Sequence, residues 1–270
     1  MQNYLPLIYA FVILGGLGLV FGLVLTFADK KFHVDVDERV QQVREQLGGA
    51  NCGACGFAGC DAFAEAVVNG TAKPNGCSPA GAAAAEEIGR IMGVSVEVGE
   101  KMVARVICQG NNGVAKERYE YDGYESCAVA TGIAGGPKLC RFSCIGLGDC
   151  VKACAFDAIT VEHGLAIIDD SKCVACGNCV DKCPRSAISL VPADYKVIVM
   201  CRNSDSGREA RAACMKACIA CGRCVKECQY DAIVVENGFA RIDGEKCTRC
   251  GACAKVCPCG CIADYDVRDE

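Results

Sequence analysis

The chain has 270 residues and a formal net charge of −5, and 26 of its residues are cysteine while only 2 are histidine. An acidic chain argues against a nucleic-acid partner, which calls for a basic face. The two histidines, His33 and His163, exclude a histidine-rich metal site and leave almost no room for Ser–His–Asp or Cys–His catalysis.

Residues 5–28 form an apolar segment without a charged side chain. A helix of about 20 apolar residues spans a bilayer, and the segment lacks the basic n-region and the cleavage site of a secretory signal. We predict a retained membrane anchor, with a signal peptide and a buried core helix as the alternatives. Lys30 and Lys31 follow the segment, so the positive-inside rule predicts a single-pass protein of the cell membrane, in contact with lipid, whose soluble portion is cytoplasmic. In that reducing compartment, clustered thiols are more often metal ligands than disulfides.

A short helical segment with its own four cysteines follows the anchor. Helical spacing of Val40, Val43 and Leu47 predicts one helix, and two more are predicted over residues 61–68 and 82–92. The cysteines have the spacing Cys-x2-Cys-x4-Cys-x16-Cys and are Cys52, Cys55, Cys60 and Cys77. Four thiolates without histidine suit an iron–sulfur cluster or a structural zinc. This spacing favours the cluster, because pairs of Cys-x2-Cys dominate in zinc sites.

The second half of the chain is an internal duplication with an offset of 74 residues. Eight cysteines of the first copy recur in the second: Cys140, Cys144, Cys150, Cys154, Cys173, Cys176, Cys179 and Cys183 become Cys214, Cys218, Cys224, Cys228, Cys247, Cys250, Cys253 and Cys257. Residues 158–169 likewise match residues 232–243, and each stretch predicts two short strands joined by a tight turn, with Asn237-Gly238 as the stronger turn signal. Each copy is predicted to run as thiol loop, short helix, hairpin, thiol loop and short helix.

Three runs within the duplication have the spacing Cys-x2-Cys-x2-Cys-x3-Cys of bacterial ferredoxins, beginning at Cys173, Cys218 and Cys247. In that pattern three thiolates of one run hold a [4Fe–4S] cluster, and the fourth cysteine completes the other cluster. The crossed pattern predicts three complete ligand sets: Cys154, Cys173, Cys176 and Cys179; Cys218, Cys221, Cys224 and Cys257; and Cys228, Cys247, Cys250 and Cys253.

A fourth predicted site is incomplete. It has Cys144, Cys150 and Cys183, but Leu147 stands at the fourth ligand position and cannot bind iron. Five cysteines have no assignment by the motifs, namely Cys108, Cys127, Cys140, Cys201 and Cys214. One of them would complete the site and the other four would form a sixth, so six [4Fe–4S] clusters are expected and five are the minimum. Buried free thiols, which behave as small hydrophobes, are the alternative for several of these five residues.

The residue that completes the incomplete site is left open among Cys108, Cys127 and Cys140. The apolar run before Cys108 resembles the run before Cys201, and Cys108 is the preferred candidate. The last two cysteines, Cys259 and Cys261, are interpreted as spare or alternative ligands.

No motif for an organic cofactor or a substrate is visible in the sequence. There is no G-x-G-x-x-G after a predicted strand, no P-loop, no nucleophile elbow and no H-E-x-x-H. The prediction is a chain without a catalytic residue, a flavin or a nicotinamide, which binds iron through its cysteines and relays electrons between other proteins. Its duplicated half has few large apolar side chains, so clusters are expected to serve as its core.

The order of one membrane helix, a Cys-x2-Cys-x4-Cys domain and tandem ferredoxin motifs resembles, over the whole chain, the RnfB component of the Rnf complexes. Residues 51–60 and 75–79 carry most of the resemblance, and residues 136–150 are similar to the longer, cluster-rich members of that family. The resemblance implies a subunit of an ion-transporting ferredoxin:NAD⁺ oxidoreductase. Such a subunit accepts electrons from soluble ferredoxin and passes them to other Rnf subunits, and the complex couples this transfer to Na⁺ or H⁺ translocation. The chain departs from the family pattern at Leu147, at Ala155 and Gln229 where proline is usual, and at its last two cysteines.

Together these patterns predict an α+β protein with a transmembrane helix, a small mainly helical [4Fe–4S] domain and two tandem bacterial-type ferredoxin domains. The predicted boundaries are 1–30 for the anchor, 31–95 for the helical domain, 96–135 for a connecting segment, 136–192 and 193–262 for the ferredoxin domains, and 263–270 for an acidic tail. The competing hypotheses are a cluster-bearing subunit of another anaerobic oxidoreductase and a zinc-binding interaction module.

Docking of an acidic ferredoxin should need a basic patch, because each oxidised cluster with four thiolates adds a charge of about −2. The candidates for this patch are Lys138, Arg141, Lys152, Lys182, Arg185, Arg202, Arg208 and Arg211.

Overall fold

The computed structural model describes residues 5–31, 37–97 and 99–264, so most of the predicted acidic tail lies outside the described residues. Helix α1 (Leu5–Lys31) coincides with the predicted anchor and is about 40 Å long at 1.5 Å per residue. From Ile8 onward it is long and apolar enough to cross a membrane, and none of that stretch is buried against the rest of the protein. The alternative of a buried core helix is therefore wrong.

Three helices build the small domain that follows the anchor: α2 (Glu38–Gln46), α3 (Cys60–Val68) and α4 (Gly81–Met92), the last preceded by a 3₁₀ turn at Ser78–Ala80. These are the three helices predicted from the sequence. Their apolar faces meet in a core around Phe63, Val43 and Ile88, each of which is at most 1% exposed. Burial of a Phe or Ile side chain contributes about 1.5–3 kcal/mol, so this domain has an ordinary apolar core.

The two ferredoxin repeats have the predicted order of elements. In the first, α6 (Asp149–Lys152) precedes the hairpin of β2 (Ile159–Glu162) and β3 (Leu165–Ile168), and α7 (Asn178–Lys182) follows it. In the second, α9 (Arg223–Glu227) precedes β6 (Ile233–Glu236) and β7 (Phe239–Ile242), and α10 (Ala252–Lys255) follows.

Both hairpins turn where the sequence predicts. Asn237 and Gly238 have φ values of 52° and 86°, and His163 and Gly164 have values of 48° and 71°. Positive φ at both central residues is the signature of a type I′ turn, whose twist matches that of the paired strands. The strands pair antiparallel, with Glu162 opposite Leu165 and Glu236 opposite Phe239 at the turn.

Two further strand pairs and two further helices have no counterpart in the sequence prediction. Strand β1 (Met102–Val106) pairs antiparallel with β4 (Ile188–Pro192), and β5 (Val197–Val199) pairs with β8 (Ile262–Asp264). The segment predicted as a connector therefore supplies a strand to the first ferredoxin repeat. The additional helices are α5 (Cys127–Gly132) and α8 (Gly207–Ala213), the latter begun by a capping box of Ser206 and Glu209.

The cores of the two repeats consist largely of thiols and small side chains. In the first repeat the buried apolar cluster contains four cysteines, four alanines and only three larger side chains, Val106, Ile159 and Ile188. In the second it contains five cysteines beside four valine and isoleucine side chains and one alanine. Neither cluster contains a buried aromatic ring, in contrast to the helical domain with its Phe63.

Candidate iron–sulfur sites

Four thiols of the helical domain surround one cavity, and we call them set 1: Cys52, Cys55, Cys60 and Cys77. The loop around the cavity is held by the Asn51 side chain, whose Oδ1 accepts a hydrogen bond of 2.8 Å from the backbone N–H of Cys60. Asn51 has a φ of 46° and Gly53 a φ of 71°, left-handed conformations that let the chain wrap tightly. Burial raises the pKa of the Cys77 thiol, and the other three thiols of the set raise it further.

Two sets predicted from the crossed ferredoxin pattern also line cavities of their own. Set 2 is Cys154, Cys173, Cys176 and Cys179. Set 5 is Cys218, Cys221, Cys224 and Cys257. The backbone N–H of Ala104, on β1, donates to Cys173 Sγ at 3.3 Å, and that of Ala240, on β7, donates to Cys218 Sγ at 3.4 Å. Backbone donors of this kind stabilise a thiolate over a thiol.

The incomplete site acquires its fourth thiol from helix α5. Cys127 lines a cavity together with Cys144, Cys150 and Cys183, and we call these four residues set 3. Burial, together with the neighbouring thiols of Cys144, Cys127 and Cys183, raises the pKa of Cys150 to about 12. The sequence-based preference for Cys108 at this position therefore differs from the structure, which brings Cys127 there.

Asp149 explains the position of Cys127. Its Oδ2 accepts hydrogen bonds of 2.9 Å from Ser126 Oγ and from the backbone N–H of Ala128, and so ties the start of α5 to the start of α6. Leu147, the residue that stands at the missing ligand position, packs against the apolar cluster of Cys127 and Ile145. No sequence spacing encodes this contact, because 21 residues separate Ala128 from Asp149.

The four remaining unassigned thiols lie close to one another between the two repeats. We call them set 4: Cys108, Cys140, Cys201 and Cys214. Burial raises the pKa of Cys140 and of Cys214, and in both cases the thiol of Cys108 raises it further. Burial likewise raises the pKa of Cys201 to about 12, with a contribution from Cys140. The buried amide of Asn203 donates from Nδ2 to Cys140 Sγ at 3.4 Å.

The strands that the sequence did not predict explain how set 4 forms. Cys108 lies two residues after β1 and Cys201 two residues after β5, so the resemblance of their apolar runs reflects equivalent places in the two repeats. Residues 114–116 then connect the other two thiols. Ala115 forms an isolated β-bridge with Cys214, and Lys116 O accepts a hydrogen bond of 2.7 Å from the N–H of Leu139, beside Cys140.

Set 6 belongs to the second repeat and is predicted to be Cys228, Cys247, Cys250 and Cys253. Burial raises the pKa of Cys253 to about 11, and the thiols of Cys247 and Cys250 contribute. Cys228 follows α9, at the place that its duplicate Cys154 occupies after α6. Cys221 of set 5 and Cys250 of set 6 are the exposed cysteines of the chain.

Cys259 and Cys261 lie outside the six sets but line the cavity of set 5. Cys261 Sγ is 3.5 Å from Cys257 Sγ. A hydrogen bond from the Cys261 thiol lowers the pKa of Cys218. Their interpretation as spare ligands remains a prediction.

Neighbouring thiols place the six sets in one series. Cys176 of set 2 is near Cys52 of set 1, where Asn178 Nδ2 also donates to Cys52 O at 3.3 Å. The next sets are linked by thiols close enough to raise each other's pKa, and the pairs are Cys179 with Cys150, Cys144 with Cys108, Cys201 with Cys218, and Cys224 with Cys253. At the central junction the backbone N–H of Cys218 donates to Cys201 Sγ at 3.3 Å. The order is therefore set 1, 2, 3, 4, 5 and 6.

The predicted basic patch needs one correction. Lys138 is only 1% exposed and cannot contact a docking partner. Its Nζ donates hydrogen bonds of 2.7 Å to the carbonyl oxygens of Gly110 and Gly164. Burial lowers the pKa of Lys138, while the thiols of Cys144 and Cys108 oppose that shift.

The chemistry of the sets fits a bulky, sulfur-bound metal group. Four of the sets line small cavities that open to solvent. In the part of the chain that the structure describes, no group of three or more His, Cys, Asp or Glu side chains converges closely enough for a single metal ion. All-thiolate sets that line a shared cavity without converging on one point are typical of [4Fe–4S] ligation, in which each cysteine binds a different corner of the cluster.

Three protein-family models match the regions that contain these sets: "Putative Fe-S cluster" at residues 47–79, "4Fe-4S binding domain" at residues 166–189, and "4Fe-4S dicluster domain" at residues 217–261. Among curated proteins, the chain is 48% identical over 252 residues to the RnfB counterpart in the Na⁺-translocating ferredoxin:NAD⁺ oxidoreductase complex of Acetobacterium woodii, covering 93% of this chain and 76% of the relative. The chain belongs to the RnfB family. Its relative in the proton-translocating complex of Clostridium ljungdahlii is 44% identical, and its relative in an ion-translocating oxidoreductase complex of Methanosarcina acetivorans is 42% identical, each over 93% of this chain. The chain covers 90% and 96% of these two relatives.

Family membership confirms the central predictions from the sequence. The chain is an iron–sulfur electron-transfer subunit of an ion-transporting oxidoreductase complex of the Rnf type, and its fold is the predicted combination of an N-terminal helix, an Fe–S domain and two ferredoxin-type domains. The long apolar helix α1 fits a location at the membrane. The hypothesis of a subunit from an unrelated anaerobic oxidoreductase is therefore wrong.

Proposed function

We propose that this RnfB protein holds six [4Fe–4S] clusters, one in each thiol set. The unbranched series of six all-thiol sets is the observation that carries the proposal. Of the 26 cysteines, only Cys259 and Cys261 are left over, so the other 24 divide into six sets of four. Each cluster would accept and release one electron, and the chain's own residues hold neighbouring clusters side by side. We also propose the domain boundaries that the sequence predicts, with one change: strand β1 belongs to the first ferredoxin domain.

We propose further that electrons enter the series at its set 6 end and leave at its set 1 end. Set 1 lies in the domain that directly follows the membrane anchor. We propose that the other subunits of the complex lie at the membrane, next to this domain. The exposed Cys221 and Cys250 belong to sets 5 and 6, where a soluble partner has access. The names of two relatives contain ferredoxin and NAD⁺. By analogy we propose ferredoxin as the soluble partner of this chain and NAD⁺ as the final acceptor of its complex. Lys30 and Lys31 in the last turn of α1 support a cytoplasmic location for the soluble portion, and coupling to Na⁺ or H⁺ belongs to the complex.

Iron, acid-labile sulfide and zinc per chain are the first measurements that test the proposal. Anaerobically purified protein is expected to contain about 24 iron and about 24 sulfide, because six clusters each hold four of both. About 20 of each would leave one set empty and contradict the assignment of set 3 or set 4. Zinc with little sulfide would support the interaction-module hypothesis and end the electron-relay proposal.

A charge reversal at the set 6 end tests where ferredoxin docks. Arg223 and Lys226 are exposed on α9, between Cys221 of set 5 and Cys228 of set 6, and form no ion pair among the described residues. The double variant Arg223→Glu/Lys226→Glu is expected to slow reduction by ferredoxin at low ionic strength by about tenfold or more, because electrostatic steering changes association rates by about 10- to 1000-fold. Stopped-flow absorbance under anaerobic conditions measures the rate.

The matched control is a double reversal in the helical domain, Lys73→Glu/Arg90→Glu, whose side chains are also exposed. It changes the net charge by the same amount and should leave the rate unchanged. The difference between the two variants should shrink in high salt, where the Debye length falls to about 3 Å at 1 M. Equal slowing by both variants would place the docking surface elsewhere.

A further inference from the structure

A buried lysine lies at the junction between sets 3 and 4. Lys138 is 1% exposed and donates only to two backbone carbonyl oxygens, those of Gly110 and Gly164. Among the described residues no carboxylate forms an ion pair with it, and its neighbour across a backbone bridge, Glu117, is exposed to solvent. It is strongly unfavourable to take an ammonium group out of water without a counter-charge. A buried lysine therefore calls for negative charge nearby.

The thiol sets supply the only such charge buried near Lys138 within the described part of the chain. Lys138 precedes Cys140 of set 4 by two residues, and its acceptor Gly110 follows Cys108 of the same set. The N–H of Gly110 donates to Cys108 Sγ at 3.3 Å. The thiol of Cys144 of set 3 is also near enough to oppose the lowering of the Lys138 pKa by burial. With clusters bound, both sets would carry net negative charge.

A second cation lies at the same junction. Arg185 is half-buried and lines the cavity of set 3, and it faces both Cys183 of set 3 and Cys140 of set 4. Its guanidinium donates to the carbonyl oxygens of Arg141 and Gly135, so no carboxylate among the described residues takes up its charge. Its Nε is buried and has no hydrogen-bond partner in the described structure.

The duplication provides an internal comparison, because the second repeat has no cation at the equivalent positions, and Arg211, which lies near Cys259 of the set 5 cavity, is exposed to solvent. The residues 74 positions after Lys138 and Arg185 are Ala212 and Cys259. The cysteines around these positions recur in both copies, whereas the two cations occur only in the first. The two repeats therefore differ at these positions in charge and not in their pattern of cysteine ligands.

We infer that Lys138 and Arg185 form a cationic junction that raises the reduction potentials of the clusters held by sets 3 and 4 above those of sets 5 and 6. An added electron increases the negative charge of its site, and a cation in a site of low dielectric constant stabilises that charge far more strongly than water-screened surface residues do. Electrons that arrive in the second repeat are thereby drawn into the first. This inference rests on the proposed six-cluster function and adds a direction to it.

The test is a potentiometric titration, followed by electron paramagnetic resonance, of the complete chain in detergent. Lys138→Met removes the charge while keeping a side chain of similar length. It is expected to disfavour reduction of two of the clusters by at least about tenfold, which is about 59 mV for a one-electron couple. Arg185→Met should shift the same two signals by less, because its side chain is half-exposed. Lys138→Arg, which keeps the charge, should restore most of the potential.

A matched surface control is Lys172→Met, beside Cys173 of set 2, whose side chain is 58% exposed. It should change the reduction equilibrium of every cluster by less than about twofold, as expected for a solvent-screened charge. Unchanged midpoints in Lys138→Met and Arg185→Met, with full iron content, would overturn the inference. If Lys138→Met loses a cluster, the Arg185→Met titration tests the inference instead, and unchanged midpoint potentials in that variant would overturn it. Wild-type protein without labile sulfide would instead contradict the proposed function itself, so the two failures are distinguishable.

Discussion

Anaerobic removal of iron is expected to unfold residues 102–264 while the helices of the small N-terminal domain keep their structure. The first ferredoxin repeat buries mainly thiols and alanines, and the second buries five thiols beside four valine and isoleucine side chains. Strands β1 to β8 have three to five residues each and lie in two-stranded sheets. An isolated two-stranded sheet is marginally stable in water. Metal-binding free energy is folding free energy in such a domain, on the order of 10 kcal/mol for a structural metal site.

Hydrogen exchange before and after chelation measures this difference within one chain. Amides of the hairpins β2–β3 and β6–β7 should lose their protection when iron is removed. Amides of α2, α3 and α4 serve as the internal control, because Phe63, Val67 and Ile88 form an apolar core that needs no metal. Protection that persists in the hairpins of iron-free protein would show that the repeats fold without clusters.

Local patterns were sufficient for the elements that depend on neighbouring residues. The anchor and the helices of the small domain follow from apolar composition and from helical periodicity. The hairpins follow from their turn chemistry, with positive φ at His163 and Asn237 as well as at the glycines after them. The proposed ligand sets of three clusters follow from ferredoxin spacing, because most of the thiols in each set belong to one short run of fixed spacing.

Elements that depend on distant residues were not predictable in this way. Strand β1 pairs with β4 across about 80 residues of intervening sequence, and no local signal names a partner at that distance. Cys127 reaches set 3 through the hydrogen bonds of Asp149 to the start of α5. From the sequence, Lys138 is predicted to be an exposed surface residue, and only the folded structure shows that it is buried.

Disruption of set 4 is expected to divide the chain into two parts that no longer exchange electrons. Set 4 differs from sets 2, 3, 5 and 6 because none of its four cysteines belongs to a ferredoxin run. Within the described residues its thiols lie between those of set 3 and set 5. The double variant Cys140→Ser/Cys214→Ser should contain about 20 iron, because one of six four-iron clusters is lost. Ferredoxin should still reduce the clusters of sets 5 and 6, while sets 1, 2 and 3 stay oxidised.

Stopped-flow absorbance with excess reduced ferredoxin separates these outcomes, since the bleaching amplitude reports how many clusters become reduced. The variant should bleach by about two-fifths of the amplitude that its five remaining clusters allow. Cys259→Ser is the matched control, because Cys259 is also buried and lies against set 5 but belongs to none of the six sets. Full bleaching of the double variant at the wild-type rate would mean that electrons bypass set 4. Loss confined to sets 1, 2 and 3 would identify set 4 as the connection between the repeats, a role that follows from the position of Cys108 after β1 and of Cys201 after β5.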